Sequence, residues 1–160
     1  MTQYIALVAN QPLPEIDLSG ARMIKIREMK KMYPVTEDFP QQSWHLMDDD
    51  AEILNIPSEE ALRKLQIFEW ESQPYDLQDY HDKAFVYCVD CSWDEPYLPD
   101  LLAYLQQHTT AGNEAELIRF WAGNYEDFQP LKKYEIVADT LTLADFEQWK
   151  LQSYVRVKFI

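Results

Sequence analysis

The sequence predicts an α+β fold, with a mixed or antiparallel sheet and helices packed on one face. Three features carry that expectation. Short apolar runs such as Tyr4 to Ala9 and Ala84 to Val89 have the length and the β-branched or aromatic content of strands. Leu98, Leu101, Leu102 and Leu105 recur at helical spacing, and Thr142 with Asp145 forms a capping pair beside Leu143, Phe146 and Trp149. The composition, 47% hydrophobic and 14% aromatic over 160 residues, provides for one core of ordinary domain size and offsets the ordering entropy of the chain.

In chain order, residues 3 to 9 are apolar after Gln3 and suit a buried strand, which Gln11-Pro12-Leu13-Pro14 stops. From Arg22 to Arg27 apolar and charged residues alternate, the period of a half-exposed strand with a basic face, and the strand is expected to continue to Met29. Pro34 and Pro40 mark a loop, and Trp44 to Ile56 reads either as a strand pair or as irregular structure. Ser58 can cap a helix that starts with Glu59 and Glu60, turns Leu62, Leu65 and Phe68 inward and runs to about Trp70; a strand over Leu65 to Glu71 is the alternative.

From Lys83 the pattern is more regular: a strand at Ala84 to Val89, a helix through Leu98 to Leu105, strands at Leu117 to Trp121 and Lys132 to Ala138, the capped helix after Thr142, and a last strand at Tyr154 to Ile160. Within 83 to 160 the order is βαββαβ, the ferredoxin-like pattern. The chain is read as a single domain, 1–160, within which an N-terminal subdomain 1–75 and a βαββαβ subdomain 83–160 are one option. The pattern leaves open whether the N-terminal strands extend the C-terminal sheet.

Several function classes are disfavoured by absence. No apolar run approaches the roughly 18 to 20 residues that cross a bilayer, and the first residues lack the basic stretch of a secretory signal. With two cysteines only, Cys88 and Cys91, a reducing, cytoplasmic location fits better than a disulfide-dependent secreted one. The three glycines, Gly20, Gly112 and Gly123, are scattered, so no phosphate-cradling loop is formed.

Cys88-Val89-Asp90-Cys91 has redox spacing, but Cys88 falls within a strand rather than at a helix N-terminus, where a thiolate would be stabilised. His45, His81 and His108 are dispersed and add no zinc set, so neither metal nor cofactor is expected. Glu69-Trp70-Glu71 and Asp94-Glu95 could supply the acid and base of a glycoside hydrolase, yet such pairs arise by chance in a chain this acidic.

The charge is unevenly distributed. The net charge is −14, and residues 41 to 130 carry nineteen acidic and four basic side chains, while both flanks are near neutral. Within that middle the carboxylates interleave with aromatics: Trp44, Asp48, Asp49, Asp50 and Glu52; Glu69, Trp70 and Glu71; Trp93, Asp94 and Glu95; Glu126 and Asp127. Carboxylates steer a basic partner and aromatics anchor it.

The leading expectation is thus a non-catalytic intracellular protein that binds a basic protein, in its sharpest form an inhibitor of immunity or antitoxin type. A small-molecule-binding regulatory domain is the alternative, and a small carboxylate-dependent hydrolase the next. Direct nucleic-acid binding is disfavoured because phosphates would be repelled. The basic cluster Arg22, Lys25, Arg27, Lys30 and Lys31 reads as a solvated strand face, or as an internal partner for the acidic middle.

Overall fold

The computed structural model describes residues 2–90, 97–123 and 130–160. The chain forms two compact units, one from Met1–Leu18 and Arg63–Ile160, the other from Ser19–Leu62. Strands β1 (Thr2–Ala9), β2 (Ile16–Asp17), β5 (Gln66–Glu69), β6 (Phe85–Asp90), β7 (Glu116–Ala122), β8 (Lys132–Ile136) and β9 (Val155–Phe159) build the seven-stranded sheet of the larger unit. Its order is β2-β5-β6-β1-β7-β9-β8, and every neighbouring pair is antiparallel except β8 with β9.

The apolar N-terminal run becomes β1 at the centre of this sheet, where Leu7 lies opposite Tyr87 on one side and Leu117 on the other. Both of its faces are covered, which is why its sequence is continuously apolar rather than alternating. Ile5, Leu7 and Ala9 join Tyr87, Val89, Leu117, Val155, Val157 and Phe159 beneath two helices, α2 (Leu98–His108) and α3 (Leu143–Lys150). The opposite face, with Ala6, Val8, Val86, Ile118 and Phe120, is covered by Leu77 of the 3-10 turn Tyr75–Asp79 and by Tyr80 after it.

Helix α2 has Pro99, pre-set for helical φ, in its first turn and buries Leu98, Leu101, Tyr104 and Leu105. Helix α3 carries the expected capping box: Asp145 Oδ2 accepts from the Thr142 backbone N–H and from its hydroxyl, both at 2.8 Å. Its buried residues are Phe146 and Trp149, and their rings meet edge to face at 5.2 Å.

The elements along 83–160 follow one another as β6-α2-β7-β8-α3-β9, as expected, but the sheet does not have the ferredoxin-like strand order. Strand β1 lies between β6 and β7, and the parallel neighbours are the last two strands, β8 and β9. Strand β1 needs a hydrogen-bonding neighbour on each edge, and β6 and β7 are those neighbours.

A further expectation is corrected ahead of β5. Instead of a helix from Ser58 to Trp70, Ser58 Oγ accepts from Ala61 N–H over one 3-10 turn, Ala61–Arg63. The chain then enters β5, as the strand alternative anticipated. There Ile67 is buried opposite Val89, while Leu62 and Phe68 remain exposed. A helix would have left the outer edge of β6 without hydrogen-bond partners.

In the smaller unit β3 (Arg22–Lys25) pairs antiparallel with β4 (Glu52–Asn55), placing Ile24 opposite Ile53. The strand expected to reach Met29 stops at Lys25, and α1 (Ile26–Met32) follows directly. The ladder ends because β4 ends: Lys25 already lies opposite Glu52. The next two N–H groups, of Ile26 and Arg27, donate instead to the carbonyls of Ala51 and Asp49 at 2.9 and 3.1 Å, and Glu28, Met29, Lys30 and Lys31 are all good helix formers. The ambiguous stretch 44–56 resolves into a 3-10 turn, Ser43–Leu46, and β4. None of the described helices is long and apolar enough to cross a membrane.

Candidate functional site

In the smaller unit the acidic run does not stand alone. Strand β3 and the first turns of α1 present Lys25, Arg27 and Lys30 to the chain that leads into β4. Lys30 Nζ lies 2.5 Å from Asp49 Oδ1, Arg27 pairs with Asp50, and Lys25 lies 3.5 Å from Glu52. The hydrogen bond and the charge of Lys30 hold the Asp49 carboxyl below the usual carboxylate range. Asp48 turns inward on its own loop, its Oδ1 accepting from the Asp50 N–H at 2.8 Å. The internal pairing of the basic cluster with the acidic middle, one of its two anticipated readings, is thus present here.

Trp44 belongs to the same unit and stacks on His45, with ring centroids 3.7 Å apart. His45 is held at both nitrogens: Nδ1 accepts from Gln42 N–H at 2.9 Å and Nε2 lies 3.0 Å from the Tyr33 carbonyl. Trp44 is half-buried, so it is neither a core residue nor a free anchor.

The second group of expected site residues lies in the larger unit. Trp70 follows the edge region of β5 and packs half-buried against Tyr4 at 5.2 Å, while Glu69 and Glu71 on either side of it are exposed. The Glu69 backbone N–H donates to Glu15 Oε1 at 2.6 Å. Two further carboxylates, not anticipated from the sequence, follow in the turn Tyr75–Asp79: Asp76 and Asp79, beside Tyr75, which is exposed to 77%, while Leu77 and Tyr80 of this segment pack in the same apolar cluster as Trp70.

Asp76 Oδ2 accepts from the Gly123 N–H at 2.9 Å. Burial, then the nearby Tyr154 hydroxyl and the charges of Asp76 and Asp79, push the Tyr80 phenol upward. None of Glu69, Glu71, Asp76 and Asp79 forms an ion pair with a described lysine or arginine. The sequence signal that could have found Asp76 and Asp79 was the spacing Tyr75-Asp76-x-x-Asp79 after a proline, a turn pattern. Trp93, Asp94, Glu95, Glu126 and Asp127 lie outside the described residues.

The chemistry at the remaining candidates is quiet. Cys88 is half-buried in β6 opposite Ala6 and Phe68, and burial, then the charge of Asp90, pushes its thiol up to about 11. That is the opposite of the depressed value a reactive thiolate needs. Its expected companion, Cys91, lies outside the described residues. Among the described residues no group of three or more His, Cys, Asp or Glu side chains converges as a metal site.

On the sheet face opposite α2 and α3 a second polar cluster appears. Glu116, almost wholly buried, accepts from Arg156 Nε at 2.6 Å and from Nη2 at 2.9 Å. Their strands pair Glu116 with Lys158 and Lys133 with Arg156, so Lys133, Arg156, Lys158 and Glu135 share this face. His81 lies within electrostatic reach of Glu116 and Arg156; its Nδ1 accepts from the Lys83 N–H, its buried Nε2 has no partner among the described residues, and burial lowers its pKa. No protein-family model, curated protein or solved structure matches the chain.

Proposed function

We propose that the chain is a non-catalytic binding protein of a reducing, cytoplasmic compartment that engages a basic protein through the acidic and aromatic surface from Glu69 to Asp79. One observation carries the reading. Glu69 and Glu71 flank Trp70 in the chain, and Asp76 and Asp79 follow the exposed Tyr75, without a described cation paired to any of the four, while Asp49, Asp50 and Glu52 of the smaller unit are paired within the chain. Unpaired carboxylates keep their full field for steering a cationic partner, and a large exposed aromatic is the residue type that anchors one. Inhibition of a basic enzyme, in the manner of an immunity protein or antitoxin, is the sharpest form of the proposal.

The test is affinity capture from the native cell at low salt with two baits, the wild-type chain and a variant with Glu69→Gln, Glu71→Gln, Asp76→Asn and Asp79→Asn. The expected result is a basic protein that is retained by the wild-type bait, released by a moderate salt step, and lost with the variant. Equal retention by both baits, or an affinity flat with salt, would overturn the proposal.

A further inference from the structure

We infer that the sheet face over β7, β9 and β8 is a binding site for a small oxyanion, a phosphate or carboxylate group carried on a small molecule. A cavity of about 220 Å³ opens there, lined by Glu116, Lys133, Tyr134, Glu135, Arg156 and Lys158. Three of these six side chains are cations, in a protein with twice as many acidic as basic residues, 28 against 14.

The register explains how they converge. Arg156 and Lys158 alternate with the buried Val155, Val157 and Phe159 of β9, so both point away from the helices. Lys133 stands laterally beside Arg156, and Glu135 beside Lys158, on the parallel neighbour β8.

Among the six lining side chains the charge that remains after internal pairing is positive. Glu116 and Arg156 neutralise each other through Nε and Nη2, which leaves Nη1 of Arg156 as a donor not used by any described residue. Lys133 and Lys158 form no ion pair with described residues; within the lining Glu135 opposes them, and outside it Glu114 lies within electrostatic reach of Lys158 and Asp82 of Arg156. The Glu116 contact fixes the guanidinium plane, so its free edge is pre-organised for a planar or tetrahedral oxyanion.

The volume lies below the range typical of pockets for drug-sized ligands and suits a compact metabolite. A polyanion such as a nucleic acid is disfavoured, because the net charge of −14 repels an extended chain of phosphates whereas a small anion senses chiefly the lining, where cations outnumber carboxylates three to two.

The site is tested on the whole chain by two-dimensional amide NMR at pH 7, titrating inorganic phosphate and, separately, succinate, each against sodium chloride at matched ionic strength. The expected result is a saturable shift confined to amides around residues 133, 135, 156 and 158 with one or both oxyanions, and none with chloride. Lys133→Gln with Lys158→Gln should weaken that binding at least tenfold, while Lys64→Gln leaves it unchanged. Both substituted lysines lie outside the core, so the spectrum itself reports that the fold persists. Shifts that stay linear, spread over the molecule, follow chloride equally or survive the double substitution would overturn the inference.

Discussion

Arg156 grips Glu116 through two nitrogens across a diagonal of the sheet, since the residue directly opposite Arg156 on β7 is Ile118. The Glu116 side chain is 3% exposed and that of Arg156 27%, so both are largely removed from water. Glu116→Ala is therefore expected to cost about 2–4 kcal/mol, more than a surface ion pair is worth, because it strands a largely desolvated arginine. Urea unfolding of Glu116→Gln, Arg156→Gln and the double variant checks this: a coupling energy near zero would show that the contact is not held in solution.

A second arginine closes a helix. Arg119 of β7 turns toward the C-terminal end of α3, where Nη1 lies 2.9 Å from the Lys150 carbonyl and 2.7 Å from that of Gln152, and Nη2 lies 2.8 Å from Gln3 Oε1. A cation at this end of a helix satisfies carbonyls that have no intrahelical partner and complements the helix dipole. Arg119→Met keeps the aliphatic stem and removes the donors, so a loss of about 1–3 kcal/mol is expected. Hydrogen exchange should locate the loosening in the last turn of α3 and in residues 150–153.

The pH dependence is expected to carry a histidine signature. Burial depresses the folded pKa of His81 below its ordinary value of about 6.5. Its contribution to stability is thus present in full above pH 6.5 and is lost as the pH falls through the folded pKa, because the unfolded chain takes up the proton first. Between pH 7.5 and pH 5 the melting temperature of the wild type should fall more than that of His81→Gln. Parallel curves for the two proteins would contradict it.

Cys88 should behave as an inert thiol. With its pKa pushed up to about 11, a Cys91→Ser variant should react with iodoacetamide far more slowly at pH 7.5 than glutathione does, and the rate should climb only toward strongly alkaline pH. Rapid alkylation at neutral pH would revive the redox reading of the Cys-x-x-Cys spacing.

Elements whose identity depends on local periodicity were legible: the doubly covered run of β1, the leucine stripe of α2 and the Thr142–Asp145 cap of α3 are all present where the residues indicate them. Order in the sheet was not legible, because the pairing of β1 with strands some eighty and more than a hundred residues away is decided by packing of both faces at once. The start of α1 was hidden for a related reason. Alternation from Arg22 to Arg27 is compatible with a strand, and what ends the strand at Lys25 is the length of its partner β4.

The candidate site was half legible in the same sense. Charge counting finds Asp49 and Asp50 as readily as Glu69 and Glu71, but only the folded chain distinguishes carboxylates met by Lys30 and Arg27 from those left unmet. The converse applies to Lys133 and Lys158, which count as two scattered lysines in sequence and become neighbours of Arg156 only through the β8–β9 register.

The central place of β1 also has a consequence for synthesis on the ribosome. Its two neighbours are made only after it: residues 85–88 complete one side, and residues 116–122 the other. Until then the emerging polypeptide carries Ile5-Ala6-Leu7-Val8-Ala9, a segment destined for complete burial, as a strand with no partner. Such a chain gains little from folding in instalments, and closure of the sheet waits on contacts of long sequence separation, the regime of slow collapse and chaperone dependence.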